Sequence, residues 1–114
     1  MSYVIQTSKD FEGNFKRLSK RYRSLHDDLV QFRISLEDNP FQGVELSPGI
    51  RKIRMAIGSK GRGKSGSARV ITANAIIAEH GGRIALLTIY DKADASSVKL
   101  NVIKAMAREL GFEV

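Results

Sequence analysis

The sequence predicts an α+β fold: one small antiparallel sheet, with two helices before most of its strands and one after them. Two early blocks and one late block repeat apolar residues every three to four positions, the period of a helix with one buried face. Between them, apolar and polar residues alternate one by one, the two-residue period of a half-buried strand. Runs of strands and helices kept apart in this way imply helices packed largely on one face of an antiparallel sheet rather than alternating βαβ units.

Tyr3-Val-Ile5 reads as a short opening strand, and Thr7 or Ser8 can cap the helix that follows. Phe11, Phe15, Leu18 and Tyr22 form that helix's apolar stripe, with Lys16, Arg17, Lys20 and Arg21 on its wet side. Leu25, Leu29, Phe32 and Leu36 mark a second helix. Ser24 stands at its N-cap, Asp27 and Asp28 in its first turn where the dipole favours them, and Asn39-Pro40 at its end. After a loop carrying Gly43, Pro48 and Gly49, the residues Ile53, Met55 and Ile57 alternate with Lys52, Arg54 and Ala56 as a strand. Gly58 to Ser67 holds four glycines and no apolar residue, the composition of a flexible loop. Ala68 to Ala78 is the next strand, Glu79 to Arg83 a turn through Gly81 and Gly82, and Ile84 to Tyr90 a third hairpin-connected strand. Val98, Val102, Met106 and Leu110 give a last helix, starting near Ser96 or Ser97 and stopped by Gly111.

A chain of 114 residues can bury one core but not two, so residues 1–114 are read as one domain. No run approaches the roughly 20 apolar residues of a membrane-spanning helix, and residues 1–10 lack the pattern of a signal peptide. The expected setting is the cytoplasm, with no membrane partner. The absence of cysteine excludes disulfides, thiolate zinc sites and thiol nucleophiles. His26 and His80 are the remaining imidazoles and read as solvated surface residues, so neither a metal nor a cofactor is expected.

The net charge of +7 favours a polyanionic partner, because each phosphate met by Lys or Arg releases condensed counterions. The charge is concentrated: Leu46 to Ala78 contains Arg51, Lys52, Arg54, Lys60, Arg62, Lys64 and Arg69 and no Asp or Glu. That segment is the expected working surface. Within it, Gly58-Ser-Lys-Gly-Arg-Gly63-Lys64-Ser65 matches the phosphate-loop pattern letter for letter. A phosphate loop must open into a helix whose N-terminus cradles the phosphates. Here Ala68-Arg-Val-Ile-Thr is β-branched and reads as strand, so a basic hairpin loop is the better reading.

Lys52 and Arg54 are two residues apart on one strand and share a face; Arg69 on the neighbouring strand can join them. Three cations on one sheet face either keep that face wet, as exposed Lys and Arg commonly do, or hold a phosphodiester and stabilise charge building on it. Residue types alone lead as far as a basic α+β domain that meets nucleic acid.

Gly49-Ile-Arg-Lys52-Ile-Arg54-Met-Ala, then Ser59-Lys-Gly-Arg-Gly-Lys64-Ser-Gly-Ser-Ala-Arg69-Val-Ile, then Leu86-Leu-Thr-Ile-Tyr90-Asp-Lys92 resemble the HigB-like branch of the RelE superfamily of toxins. The helical pair and Leu36-Glu-Asp-Asn39-Pro40-Phe-Gln-Gly43 resemble the same family, so the likeness covers nearly the whole chain. The resemblance implies a single RelE-like toxin domain of a type II toxin-antitoxin system: a ribosome-dependent mRNA endoribonuclease that enters the decoding site and promotes attack of the message's own 2′-hydroxyl on the adjacent phosphate, without metal or cofactor. Carried over by position, Lys52 and Arg54 take the general-base role and the backbone clamp, Arg69 stabilises the transition-state phosphate, and Lys92 lies near the leaving oxygen. Arg51, Lys60, Arg62, Lys64 and Tyr90 are the expected RNA contacts. The implied partners are a cognate antitoxin, mRNA in the decoding site, ribosomal RNA, which the basic face of the first helix (Lys16, Arg17, Lys20, Arg21 and Arg23) can also meet, and operator DNA only through the antitoxin complex.

The chain departs from the family at two places. An aromatic residue is often found shortly after the arginine matching Arg69, where this chain has Thr72 and Ala73, and the family's paired glycine is replaced by Gly66-Ser67-Ala68. Losing a stacking platform removes about 1 to 3 kcal/mol per base. Two other functions fit the same resemblance: a ParE-like, non-enzymatic DNA gyrase inhibitor, and a degenerate toxin that keeps only its antitoxin and operator-complex roles.

Overall fold

The computed structural model describes residues 2–60, 67–78, 81–94 and 98–114. Along the chain run β1 (Ser2–Thr7), α1 (Lys9–Arg21), α2 (Leu25–Asp38), β2 (Val44–Ser47), β3 (Ile50–Ala56), a 3-10 turn (Gly58–Lys60), β4 (Ser67–Ala78), β5 (Gly81–Asp91) and α3 (Leu100–Glu109). The class is α+β, and β3, β4 and β5 form the expected antiparallel meander.

The sheet as a whole is mixed rather than antiparallel. Its order is β1-β5-β4-β3-β2, and β1 pairs with β5 in parallel. A parallel neighbour requires a long crossover, which α1 and α2 supply by carrying the chain from one sheet edge to the other. The direction of a short edge strand depends on where those helices deliver the chain, and Tyr3-Val-Ile5 carries no mark of it.

Two further expectations change. Val44–Ser47, read as loop, is an edge strand that turns through Pro48 and Gly49 (φ +83°) to pair with β3. Its residues lack a clear apolar alternation, so only pairing makes it a strand. Gly81 and Gly82, read as a turn, open β5 and pair with Ser2 and Tyr3 on one side and with Ala78 and Ile76 on the other.

The helices also divide between both faces instead of sharing one. Under α1 and α2, Phe11, Phe15, Leu18, Leu25, Phe32 and Leu36 pack on Ile53, Met55, Val70, Ile84 and Leu86. Under α3, Ile103 and Ala107 pack with Phe112 on Ile50, Ile71, Ala73, Ala85 and Leu87. On α3 the buried face is thus built on Ile103 and Ala107, while Val102 of the expected stripe stays exposed.

Ser8 is the cap that the sequence left undecided between two positions. Its hydroxyl accepts from the Phe11 N–H at 3.0 Å and donates to the Leu87 carbonyl, so one side chain both starts α1 and fastens it to β5. Ser24 occupies the cap position of α2 but does not cap it. Its hydroxyl donates to Asp28 and accepts from the Ser59 N–H at 2.8 Å, while Asp28 accepts from the Gly58 N–H, tying α2 to the turn after β3. Ser96 and Ser97 lie outside the described residues, and Lys99 precedes α3 without a side-chain cap. Gly111 does end α3. At φ +88° it lets the Phe112 N–H reach the Ala107 carbonyl and its own N–H reach that of Arg108, the paired bonds of a left-handed helix stop.

Candidate nucleic-acid interface

Alternation along β3 sends Ile53 and Met55 under α1 and α2, and so turns Lys52 and Arg54 to the face that carries α3. Register decides what they meet. Arg54 lies opposite Arg69 on β4, and Arg69 opposite Tyr90 on β5, so the three form a row across the sheet. Lys92 follows the last residue of β5. Lys52, Arg54, Arg69 and Lys92 line one cavity of about 730 Å³, closed further by Gln42, Gly43, Val44 and Ile53. No described lining residue is Asp or Glu.

Arg69 is the least solvated of the four, with 8% of its surface exposed. Its guanidinium donates to the Ser67 hydroxyl at 2.7 Å, and no carboxylate among the described residues forms an ion pair with it. An arginine cannot shed its proton, and a buried charge without a counter-charge is costly. An anion entering the cavity relieves that cost, whereas a wet sheet face would keep its cations in bulk water. Lys52 is half-buried, and Arg54 and Lys92 are exposed.

One wall of the cavity comes from residues that carry no chemistry of their own. Gly43 has φ +76°, and a Cβ there would sit 2.1 Å from the Lys52 carbonyl oxygen, so only glycine lets the loop lie on β3. Asn74 donates to the Pro40 carbonyl at 2.7 Å, and the Gln42 amide donates to the carbonyls of Ser35 and Asn39, both at 2.9 Å. Arg51 completes the bracing. Its guanidinium donates to the carbonyls of Gln42 at 2.7 Å and Gly43 at 3.2 Å and lies 3.9 Å from Glu45. Expected as an RNA contact, Arg51 is therefore turned away from Lys52 and engaged in holding the wall. The sequence signal for this wall was Gly43 alone, a glycine without a turn partner.

Tyr90 packs in the cluster under α3 and does not line the cavity. Its buried hydroxyl has no hydrogen-bond partner among the described residues. Burial raises its pKa above the ordinary phenol value, and the charge of Arg69 partly opposes the rise. Thr72 and Ala73 are both fully buried, so the described cavity lining includes no aromatic ring.

Of the remaining expected contacts, Lys60 ends the 3-10 turn, while Arg62 and Lys64 lie outside the described residues, as does His80. His26 packs edge-on against Phe15 at 5.1 Å, away from the cavity. Lys16, Arg17, Lys20, Arg21 and Arg23 are exposed on and just after α1. The segment that mimics a phosphate loop is entered from β3 and left as β4, so no helix N-terminus stands at its exit. No protein-family model matches this chain, and no curated protein matches it.

Proposed function

We propose that this chain is a metal-independent endoribonuclease toxin of the RelE type, HigB-like branch, acting on mRNA in the ribosomal decoding site and silenced by a cognate antitoxin. The observation that carries the reading is the convergence of Lys52, Arg54, Arg69 and Lys92 on one cavity with no described carboxylate in its lining. The block-by-block resemblance supports it by assigning the same four positions to the reacting centre. Operator DNA is met through the antitoxin complex, ribosomal RNA through the exposed basic face of α1, and the cytoplasm is the compartment. No helix among the described residues is long and apolar enough to cross a membrane.

In this mechanism the ribose 2′-oxygen attacks the adjacent phosphorus, the bond from phosphorus to the 5′-oxygen breaks, and the products are a 2′,3′-cyclic phosphate and a 5′-hydroxyl. Arg54 clamps the backbone, and the amine of Lys52 takes the 2′-hydroxyl proton. Arg69, held between Ser67 and the sheet, is aimed at the phosphoryl oxygens on which charge develops. A preorganised donor of this kind contributes about 10²- to 10³-fold in rate. Lys92 stands at the mouth of the cavity to protonate the leaving 5′-oxygen. With no described ring in the cavity lining, base selection rests on the ribosome-held codon more than on stacking against this chain.

The test is to incubate the protein with translating ribosomes and map message ends. Codon-phased cuts that vanish when Lys52, Arg54 and Arg69 are all replaced by Ala support the proposal. No cut from the native chain, or toxicity that survives the triple replacement while DNA supercoiling falls, would refute it in favour of gyrase inhibition.

A further inference from the structure

Asp91 is the last residue of β5, and its side chain is 0% exposed. A carboxylate taken wholly out of water persists only where donors surround it. Here the Tyr22 hydroxyl donates to Oδ2, and the Arg21 guanidinium approaches the same oxygen at 3.4 Å. The Ala93 N–H donates to Oδ1 at 3.0 Å. The Asp94 N–H then closes onto the Asp91 carbonyl at 2.9 Å, and the Asp94 carboxylate takes a second bond from Arg21 at 3.1 Å. These bonds wrap residues 91–94 into a turn in which the carboxylate itself fixes the backbone on the far side of Lys92. The anchoring donors come from the end of α1, on the face of the sheet opposite the cavity.

We propose that Tyr22 and Asp91 are positioning residues that hold the turn presenting Lys92 to the cavity, so that α1 sets the placement of one of the four cations. This rests on the ribonuclease reading for the role of Lys92, but not for the existence of the anchored turn. Lys92 is exposed and long, and without a fixed backbone its ammonium would sample far more space than the cavity mouth. Misplacing a catalytic group by about 1 Å can cost on the order of 10²-fold in rate.

The experiment compares the full-length native chain with Tyr22→Phe, Asp91→Asn, Lys92→Ala and the pairs Tyr22→Phe/Lys92→Ala and Asp91→Asn/Lys92→Ala. Two activity readouts are used: the single-turnover rate of message cleavage on programmed ribosomes, and binding of a fluorescent single-stranded 2′-deoxy oligonucleotide, which cannot be cut. Backbone ¹⁵N order parameters at Lys92 and Ala93 give a third readout, independent of function. Tyr22→Phe and Asp91→Asn are expected to slow cleavage about 10- to 100-fold, to weaken oligonucleotide binding, and to lower the order parameters at Lys92 and Ala93. Added to Lys92→Ala, neither should cause further loss. Losses that multiply with Lys92→Ala, or unchanged order parameters in Tyr22→Phe, overturn the proposal. If Asp91→Asn does not fold, Tyr22→Phe, which keeps the packed ring, carries the test. A native chain that cuts no message refutes the ribonuclease reading instead, and the positioning proposal is then judged on the order parameters and on oligonucleotide binding.

Discussion

Replacing Arg69 with Met tests whether the cavity stores unfavourable charge in the absence of RNA. Arg69 is 8% exposed and lies directly across from Arg54. Side chains facing each other on paired strands start about 5 Å apart, which places two splayed guanidinium groups roughly 7 Å apart. At an effective dielectric of about 20 the repulsion is then about 2 kcal/mol, reduced to about 1 because Arg54 is exposed and screened. Met removes that repulsion and the residual desolvation cost of a buried guanidinium, which is several kcal/mol. Against this stands the loss of the charge-assisted bond to Ser67, worth about 1.5 to 3 kcal/mol. The balance makes Arg69→Met about 1 kcal/mol more stable than the native chain in low salt, a rise in melting temperature of roughly 5 °C for a domain of this size. Urea unfolding at 20 mM and at 1 M salt is the assay. Screening at about 1 M shortens the Debye length to about 3 Å, so the native chain should gain stability with salt and the gap should narrow, while cleavage by Arg69→Met falls at least about 10²-fold. An Arg69→Met protein that is less stable than the native chain in low salt, by a margin that salt leaves unchanged, would refute the idea of an electrostatically strained cavity.

Gly43→Ala should lower stability by about 2 kcal/mol through its left-handed backbone and the clash with Lys52, and should weaken RNA binding in step as the wall lifts; unchanged urea midpoints would count against the packed wall. Ser8→Ala should cost about 1 to 2 kcal/mol, the loss of a helix cap plus the bond to Leu87, read by thermal melting. Tyr90→Phe removes a buried hydroxyl with no described partner, and should leave stability at pH 7 equal or higher by about 1 kcal/mol. Because the folded state raises the Tyr90 pKa, the native chain binds that proton more tightly than the unfolded chain does. Its stabilisation is full below the ordinary phenol pKa and declines as pH rises through the higher folded value. Native stability should therefore fall more steeply than that of Tyr90→Phe at alkaline pH, and parallel pH profiles for the two would contradict the burial of that hydroxyl.

Much of the architecture was readable from residue order. The stripe Phe11, Phe15 and Leu18 lies where a helix period puts it, and Gly111 ends α3 through the positive φ that glycine tolerates. The alternation around Ile53 correctly assigned Lys52 and Arg54 to one face. Less was readable at the strand edges. Val44–Ser47 has no periodicity of its own, Gly81 and Gly82 look like a turn until partners flank them, and Ser24 looks like a cap until Ser59 and Asp28 engage its hydroxyl.

The covalent chain by itself determined that Lys52 and Arg54 project together, because the two-residue repeat of an extended backbone follows from bond geometry. It also determined that no acidic residue interrupts Leu46 to Ala78. Only the tertiary structure decided that Arg69 stands opposite Arg54, that Lys92 joins them, and that Arg51, adjacent in sequence to Lys52, serves the wall instead. The reason is register: which residues face each other across strands depends on hydrogen bonds between segments far apart in the chain, and a slip of one residue would have sent Arg69 to the other side of the sheet.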